Sequence, residues 1–417
     1  MRLLVISNLY PPAQIGGYEM GCRELAENLV ARGHEVLVLT GAAPYPDIEG
    51  PVAVHRGLHL SAFRREIVNG SAGAQAFHDK VSQAANTRTM LAAIRRFAPD
   101  RVYLFNLVGL GGLGLLAALR IAEVPWVWHL MDRVPVDMVA GVPRSVLEIM
   151  GADHGRLWQG GTVISMSDNL IDEVEECTGW EFVRRPSLVP GWAAPVAEGH
   201  RPYRDGGVTR FVSAGTLSTV KGVDLILEAA SALRRAEPAH PFTVDVFGTG
   251  DSLHYAHLIH ADGLDDIVRI RGPRSRAELI EEYRRADAFL FPTWSREPFG
   301  FAPIEAASVG CVPVITADCG AAERLVDGVH AVKITRSAQA LTSAMRDIVQ
   351  GRTDLERIGA RARRICREAL SLEAAVTAVE RILEEGGPWR PDARMIERAE
   401  ALASFTEAVA VGAWNQG

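Results

Sequence analysis

An apolar run followed by a glycine pair and a helical repeat stands near the start of the chain, and this order restricts the fold more than any other feature. Leu3–Ser7 has the apolar character of a buried parallel strand. Gly16 and Gly17 follow, a helical pattern then ends at Gly33, and Glu35–Thr40 forms the next predicted strand. A strand, glycine turn, helix and strand make a βαβ unit, which predicts a doubly wound parallel sheet. A Gly-Gly pair at such a turn lets the backbone approach a phosphate closely.

The second half of the chain repeats this order. Strands are predicted at Arg210–Gly215, Thr243–Phe247 and Val268–Arg271. Lys221 lies in the loop after the first of them, and Gly248 lies in the loop after the second. Since 417 residues are too many for one ordinary core, we expect an α/β protein with two doubly wound, Rossmann-like domains facing across a cleft.

Composition excludes several functional classes. With 48% hydrophobic residues, 23% charged residues and a formal charge of −7, the chain is predicted to be a soluble globular protein with no nucleic-acid partner. Its five cysteines are scattered, which predicts reduced thiols in a cytoplasmic protein without a zinc site. Val102–Leu119 is uncharged over 18 residues, but its four glycines favour a strand, a turn and a helix start over a transmembrane span. Peripheral membrane contact stays open.

The stretch from Phe291 to Gly328 contains the most informative local pattern. Ala288–Phe291 is a predicted strand, and after Gly300 the pattern becomes helical. Gly300–Ala302 would lie in the first turn, where unpaired N–H groups form an anion site. Glu305, one turn further on, is placed to hold ribose hydroxyls, and Glu297 in the preceding loop is placed to hold a sugar hydroxyl.

This arrangement resembles the signature of glycosyltransferase family four, the retaining GT-B enzymes that use nucleotide sugars. The motif continues with Gly310–Ile315 and then with Gly320, Glu323, Asp327 and Gly328. In that family the first Glu of the pair contacts the donor sugar and the second contacts the ribose. The resemblance implies a GT-B fold and a transferase of hexosyltransferase type.

The resemblance also assigns roles in the first domain. The family has a Gly-Gly-x-Glu at the loop occupied here by Gly16, Gly17 and Glu19. It has a His bordering the reacting carbon, which corresponds to His129 near the end of the predicted strand Trp126–Leu130. Phe105, Leu107 and Met131, near the same edge, suggest a bulky or aliphatic acceptor.

In the second domain the resemblance assigns Lys221 to the donor diphosphate. It departs from the family at Thr216, where an Arg usually contacts the same diphosphate. Arg274 or Arg296 is available to compensate for that lost cation. The base is expected to rest against Gly272.

The predicted function is therefore metal-independent, retaining transfer of a sugar from a nucleoside-diphosphate sugar to a hydroxyl acceptor, which is a small molecule, a glycan or a lipid-linked group. No cofactor or metal is expected, because the chain contains no Asp-x-Asp triplet and Lys221 and a helix start can stabilise the leaving diphosphate. The sugar, the base and the oligomeric state stay open. The predicted catalytic residues are His129, Lys221 and Glu297, and the predicted donor-binding residues are Gly16, Gly17, Gly248, Gly272, Phe299, Gly300, Phe301, Ala302 and Glu305.

The predicted domains are an N-terminal acceptor-side domain at residues 1–195 and a C-terminal nucleotide-sugar domain at residues 206–386. A linker rich in Pro, Gly and charge is predicted at 193–208. The resemblance implies that the last helix, within residues 392–417, packs back on the first domain.

Other interpretations are weighed against this one. Gly109, Gly111 and Gly114, with Asp132 further on, match a dinucleotide fingerprint and would suit an NAD-dependent oxidoreductase. A GT-B sugar-nucleotide epimerase, a phosphorylase or a non-catalytic sugar-nucleotide binder would share the fold.

A single helix is predicted from about Gln75 to Phe97.

Overall fold

The computed structural model describes residues 1–42, 49–60, 72–194, 202–387 and 389–415, with the backbone alone at 72–74. The chain divides into two compact units. Unit 1 comprises Met1–Met166, Leu170–Val189 and Val376–Gly417, and unit 2 comprises Ser167–Asn169 and Pro190–Ala375. The predicted linker at 193–208 lies partly outside the described residues.

A parallel sheet forms the centre of unit 1. Its strands are β1 (Arg2–Ser7), β2 (Glu35–Gly41), β3 (Ala53–Leu58), β4 (Arg101–Leu104), β5 (Trp126–Leu130), β6 (Gly161–Ser165) and β7 (Ser187–Leu188). The helices that accompany them are α1 (Gly17–Ala31), α2 (Ala72–Lys80), α3 (Ala84–Phe97), α4 (Gly112–Ile121), α5 (Val134–Val139), α6 (Arg144–Ile149) and α7 (Asp168–Thr178), the first two residues of which belong to unit 2. The strand order is β3-β2-β1-β4-β5-β6-β7, with every pair parallel. The central strand β1 is buried on both faces, which explains its unbroken apolar run.

The single helix predicted between Gln75 and Phe97 is wrong, because the chain breaks it into α2 and α3. The glycine-rich loop before α4 causes the break. Its Gly111 N–H donates to the Asp79 carbonyl at 3.1 Å, and its Gly114 N–H donates to the Val81 carbonyl at 2.7 Å. Carbonyls that would accept helical hydrogen bonds if α2 continued therefore accept them from Gly111 and Gly114 instead.

Close packing explains the glycine spacing that matched a dinucleotide fingerprint. Gly111 has φ +71°, and a Cβ there would lie 2.7 Å from the Ser82 carbonyl carbon. A Cβ at Gly114 would lie 2.7 Å from Ser82 Oγ. The turn at residues 81–83 occupies the space that these glycines leave open. The spacing therefore needs no dinucleotide to account for it.

Unit 2 is built around a second parallel sheet. Its strands are β8 (Thr209–Ala214), β9 (Phe242–Phe247), β10 (Val268–Gly272), β11 (Ala288–Phe291), β12 (Val312–Thr316) and β13 (Val332–Ile334). Its helices are α8 (Val223–Ala236), α9 (Ser252–Ala261), α10 (Arg276–Arg285), α11 (Phe301–Ser308), α12 (Ala338–Val349) and α13 (Leu355–Glu368). The order β10-β9-β8-β11-β12-β13 places β8 and β11 side by side. The loops after these two strands therefore start from neighbouring points on the carboxyl edge.

The chain then returns to unit 1 through α14 (Leu372–Glu384) and α15 (Ala393–Trp414). Helix α15 packs against α3, α4 and α6 and buries Ile396, Ala399 and Ala410. Glu407 on this helix accepts a hydrogen bond from Ser82 Oγ at 2.7 Å. The last helix of the chain is thus part of the core of unit 1.

Two further sequence expectations concern the whole chain. Within the described ranges, each helix is either too short or too polar to span a bilayer, and Val102–Leu119 is divided between β4 and α4. All five cysteines are free thiols, as predicted.

Candidate active site

Two loops of unit 2 bring a cation and a carboxylate into contact at the carboxyl edge of the sheet. Lys221, after β8, forms an ion pair with Glu297, after β11. Thr293 Oγ1 donates to the same carboxylate oxygen at 3.0 Å. The Glu297 side chain is 9% exposed and the Lys221 side chain is 29% exposed. Glu297 thus has a charged and a neutral donor within the protein, and Lys221 still reaches solvent.

The backbone fixes this contact. Gly222 has φ +74°, and a Cβ there would lie 2.9 Å from Pro292 Cγ, so the two loops touch at a point where only glycine fits. Trp294 N–H donates to the Val220 carbonyl at 3.0 Å. Lys221 lies between these two tethered positions. Its approach to Glu297 is therefore set by main-chain contacts.

Helix α11 begins directly after this loop. Gly300 has φ +86°, and a Cβ there would lie 2.8 Å from the Phe291 ring. The helix has no side-chain cap at Gly300, and its first turn includes the half-buried Phe301 and Ala302. First-turn N–H groups lack partners within a helix, and the anion site expected at this turn stays a prediction.

The two phenylalanines of the motif have structural side chains. Phe299 is buried, and a Cβ at Gly191 would collide with its ring. The Phe301 ring packs edge-on against Trp192 at a centroid distance of 5.2 Å. The Phe299 carbonyl accepts from Ala321 N–H at 2.7 Å. The side chains of both residues thus pack under the loop.

Glu305 also has a cationic partner, which the sequence did not reveal. Its Oε1 lies 2.6 Å from Nε of Arg276, the first residue of α10. The Glu305 side chain is 10% exposed and that of Arg276 is 28% exposed. Burial, followed by the charge of Glu305, holds the pKa of Tyr283 well above its usual range, which places all three side chains in one cluster.

Gly248 and Gly272 lie at the ends of β9 and β10. Gly248 N–H donates to the Gly272 carbonyl at 3.1 Å, and a Cβ at Gly248 would overlap the Gly215 carbonyl. Gly272 has φ +69° with open space around its missing Cβ. Gly248 therefore serves loop packing, whereas Gly272 lies open at the edge where a base was predicted.

Two arginines contact residues near Thr216, either in the same loop or on the neighbouring strand. Arg274 stacks over the Phe247 ring at 6.0 Å and donates to the Pro273 carbonyl. Arg336, which follows β13, donates to the Thr219 carbonyl in the loop that holds Lys221. Arg336 was missed because only the strand order of the sheet brings residues so far apart in sequence together.

A short segment of unit 2 is hydrogen-bonded to the Glu297 loop. Glu323 accepts from the N–H groups of Asp168 and Asn169 at 2.8 and 2.7 Å. The Asn169 side chain donates to the Ser295 carbonyl at 2.6 Å, and Ser167 Oγ donates to the Pro298 carbonyl. The motif residue Glu323 thus organises backbone beside the site.

His129 of unit 1 is fully buried in β5. Its Nδ1 lies 2.8 Å from the Tyr103 hydroxyl, and its carbonyl accepts from the Tyr18 hydroxyl at 2.7 Å. Burial lowers the pKa of His129 to about 3, because the charged imidazolium loses its hydration. At neutral pH this imidazole is therefore uncharged.

The Gly16-Gly17 loop is ordered by the acidic residue of its own motif. Glu19 is buried, and its carboxylate accepts from the N–H groups of Ile15 and Gly16 at 3.1 and 2.9 Å. Gly17 is the first residue of α1. The Gly16 N–H is thus used within the protein, and Gly17 is the glycine of the pair that offers a first-turn N–H.

Phe105, Leu107 and Met131, which suggested a bulky or aliphatic acceptor, are all buried, and the nature of the acceptor stays a prediction. Apolar surface in unit 1 comes instead from Ile15, which is 82% exposed, and from Val108. An apolar residue just beyond a buried strand looks the same in sequence whether it packs in the core or faces a ligand.

No group of three or more His, Cys, Asp or Glu suited to a metal ion occurs in the part of the chain that the structure describes.

Comparison with known proteins relates this chain to glycosyltransferases. The model of the family described as "Glycosyl transferases group 1" matches residues 202–365, and that of the "Glycosyl transferase 4-like domain" matches residues 16–184. D-inositol 3-phosphate glycosyltransferase of Pseudarthrobacter chlorophenolicus is 30% identical over 357 residues, covering 78% of this chain and 82% of that protein. Glycogen synthase of Mycobacterium tuberculosis is 24% identical over 403 residues, covering 92% and 94%.

Solved structures share the fold. Sucrose-phosphate synthase from Thermosynechococcus elongatus superimposes with a TM-score of 0.70 at 18% identity, covering 92% of this chain and 98% of that one. Anabaena HepE in complex with UDP and glucose gives 0.65 at 18% identity, covering 92% and 99%. These similarities confirm the predicted α/β class with two doubly wound units, which is the GT-B fold.

Proposed function

The chain is a glycosyltransferase that belongs to the glycosyl transferases group 1 family, and from that premise we propose that it moves a sugar from a nucleoside-diphosphate sugar to a hydroxyl acceptor. The transfer retains the anomeric configuration, as in glycosyltransferase family four, and uses no metal ion. The observation that supports this most strongly is the cluster of Lys221, Glu297 and Thr293 beside the start of α11.

The leaving diphosphate needs positive charge near its oxygens. Lys221 supplies an ammonium group that is partly exposed at the carboxyl edge, and the first turn of α11 supplies N–H groups and the positive end of its dipole. A preorganised donor of this kind typically contributes about 3 kcal/mol to transition-state stabilisation. Two such sources provide charge stabilisation of the sort that a metal supplies in other transferases.

The two carboxylates suit hydroxyl recognition. Glu297 is held by Lys221 and Thr293, and its carboxylate oxygens can accept hydrogen bonds from a donor-sugar hydroxyl. Glu305 takes the ribose hydroxyls. The reaction then proceeds by attack of the acceptor hydroxyl on the face that the diphosphate leaves.

His129 contributes as a neutral residue. Its lowered pKa, due to burial, makes it a poor proton carrier near pH 7. We assign it to shaping the apolar floor of the acceptor side, with Tyr103 fixing its ring.

The neighbours suggest where to look for substrates. HepE binds UDP and glucose, so UDP-sugars are the first donors to test. Inositol phosphate and glucan acceptors follow from the names of the two relatives. We also propose a cytoplasmic location, which the five free thiols support.

A thermal-shift screen tests this function. The melting temperature is measured with UDP, ADP, GDP, their glucose conjugates and NADH, each with and without EDTA. We expect one nucleoside diphosphate to raise the melting temperature equally in both conditions, since a ligand that binds only the folded state stabilises it. A shift that EDTA abolishes would refute metal independence. A shift with NADH alone would overturn the transferase mechanism.

A further inference from the structure

We propose that Arg276 is a positioning residue for donor recognition, which acts by holding Glu305 as an ionised acceptor for the ribose of the nucleotide. This inference rests on the proposed function, because it assumes that Glu305 meets a ribose. It gives a role to a residue that the family motif does not include and that lies 29 positions before Glu305 in the sequence.

The geometry places Arg276 at a fixed point. Arg276 begins α10, and Ser275 caps that helix in a reciprocal box with Glu278. Glu278 accepts from Ser275 N–H at 2.8 Å, and Ser275 Oγ accepts from Glu278 N–H at 3.3 Å. The backbone of Arg276 is therefore anchored on both sides of the α10 start. Its guanidinium reaches Glu305 at 2.6 Å.

The environment of Glu305 favours a cationic partner. Its side chain is 10% exposed, and it lies near the buried Tyr283. A carboxylate buried without a positive partner tends to take up a proton, because the charged form loses its hydration. The ion pair with Arg276 opposes that protonation.

Ionisation determines how well Glu305 recognises a sugar. An ionised carboxylate accepts hydrogen bonds on both oxygens, and such bonds are about twice as strong as neutral ones. A protonated carboxyl group would accept less well and would present a donor at one oxygen. Arg276 therefore affects the affinity for nucleotides that have ribose hydroxyls and leaves the affinity for nucleotides without them unchanged.

The test compares two ligands on two variants. Dissociation constants for UDP and for 2′,3′-dideoxyuridine diphosphate are measured by calorimetry on the full chain and on Arg276→Gln. We expect Arg276→Gln to weaken UDP binding by about tenfold to a hundredfold, the range typical of a hydrogen bond to a charged group. The dideoxy analogue should bind both proteins equally. Arg276→Lys, which keeps the positive charge, should restore most of the UDP affinity.

Controls separate this role from a structural one. Arg285→Gln removes an exposed ion pair with Glu282 from the same helix and should leave both affinities unchanged. In a Glu305→Gln background, Arg276→Gln should cause no further loss of UDP affinity. Equal loss for both ligands, or full UDP affinity in Arg276→Gln, would overturn the inference. Should the unaltered chain bind no nucleoside diphosphate at all, the proposed function itself fails, and that result is distinct from either.

Discussion

The carboxyl edges of the two sheets deal with polar groups in opposite ways. In unit 1, His129 is completely buried and uncharged, and its ring is held by the Tyr103 hydroxyl. In unit 2, Glu297 and Glu305 are nearly as buried but each has a cation in contact. Burial disfavours a charge, and a protein answers either by keeping the group neutral or by pairing it. The two carboxylates at the edge of unit 2 thus lie beside cations, whereas the imidazole at the edge of unit 1 is neutral.

The largest expected effect comes from removing charged side chains at the carboxyl edge of the sheet in unit 2. Lys221→Ala and Glu305→Ala should each lower turnover by roughly two to three orders of magnitude, because each removes a preorganised group from the donor site. Initial rates with an identified donor and acceptor measure this. Lys80→Ala, which removes an exposed amine bonded to the Ala140 carbonyl in unit 1, is the matched control. Near-normal rates in both site variants would show that other residues stabilise the charge that develops in the reaction.

A second effect concerns the glycine loop of unit 1, which should matter for stability alone. Gly111→Ala puts a Cβ into the Ser82–Gln83 backbone and strains a residue with φ +71°, so we expect a loss of about 3 kcal/mol in the free energy of unfolding. Gly141→Ala has φ +72° but open space around it, and should lose about 1 kcal/mol. Thermal unfolding measures both. If Gly111→Ala abolished nucleotide binding in a protein that remained folded, this loop would have to be a ligand site.

The smallest effect, when it is compared within a single pH unit, comes from His129 at the neutral edge of unit 1. His129 is uncharged in the folded state with a pKa of about 3, whereas an unfolded His titrates near pH 6.5. Between these values the unfolded state binds the extra proton, so stability falls as pH falls, by up to about 1.4 kcal/mol per pH unit.

The free energy of unfolding should therefore decline less steeply with acid in His129→Gln than in the unaltered chain. His254→Gln, at an exposed position, serves as the control and should keep the full slope. An identical slope in all three proteins would mean that His129 takes up its proton without unfolding.

Much of the fold followed from the sequence, because its signals are local. Apolar runs such as Ala288–Phe291 and Trp126–Leu130 are strands with the predicted bounds, since a strand buried on both faces has a continuous apolar pattern. The break between α2 and α3 was not predictable in this way. It depends on hydrogen bonds from Gly111 and Gly114, which are distant in sequence.

The site was predictable where a motif is contiguous. The loop with Glu297, Gly300 and Glu305 forms as one strand–loop–helix connection. Arg276 and Arg336 could not be found, because they reach this edge only after the sheet has set the order of its strands. The sequence also did not reveal which way a side chain points. Phe105, for example, is buried.

The path of the chain out of unit 1 and back into it has a consequence for how the gene can recombine. Apart from Ser167–Asn169, unit 2 is one uninterrupted stretch, Pro190–Ala375, and this stretch includes Lys221, Arg276, Glu297 and Glu305. A single continuous segment of the gene therefore encodes all four of these candidate donor-site residues. Recombination at two points could exchange this stretch as one piece, while unit 1 diverged at its own rate.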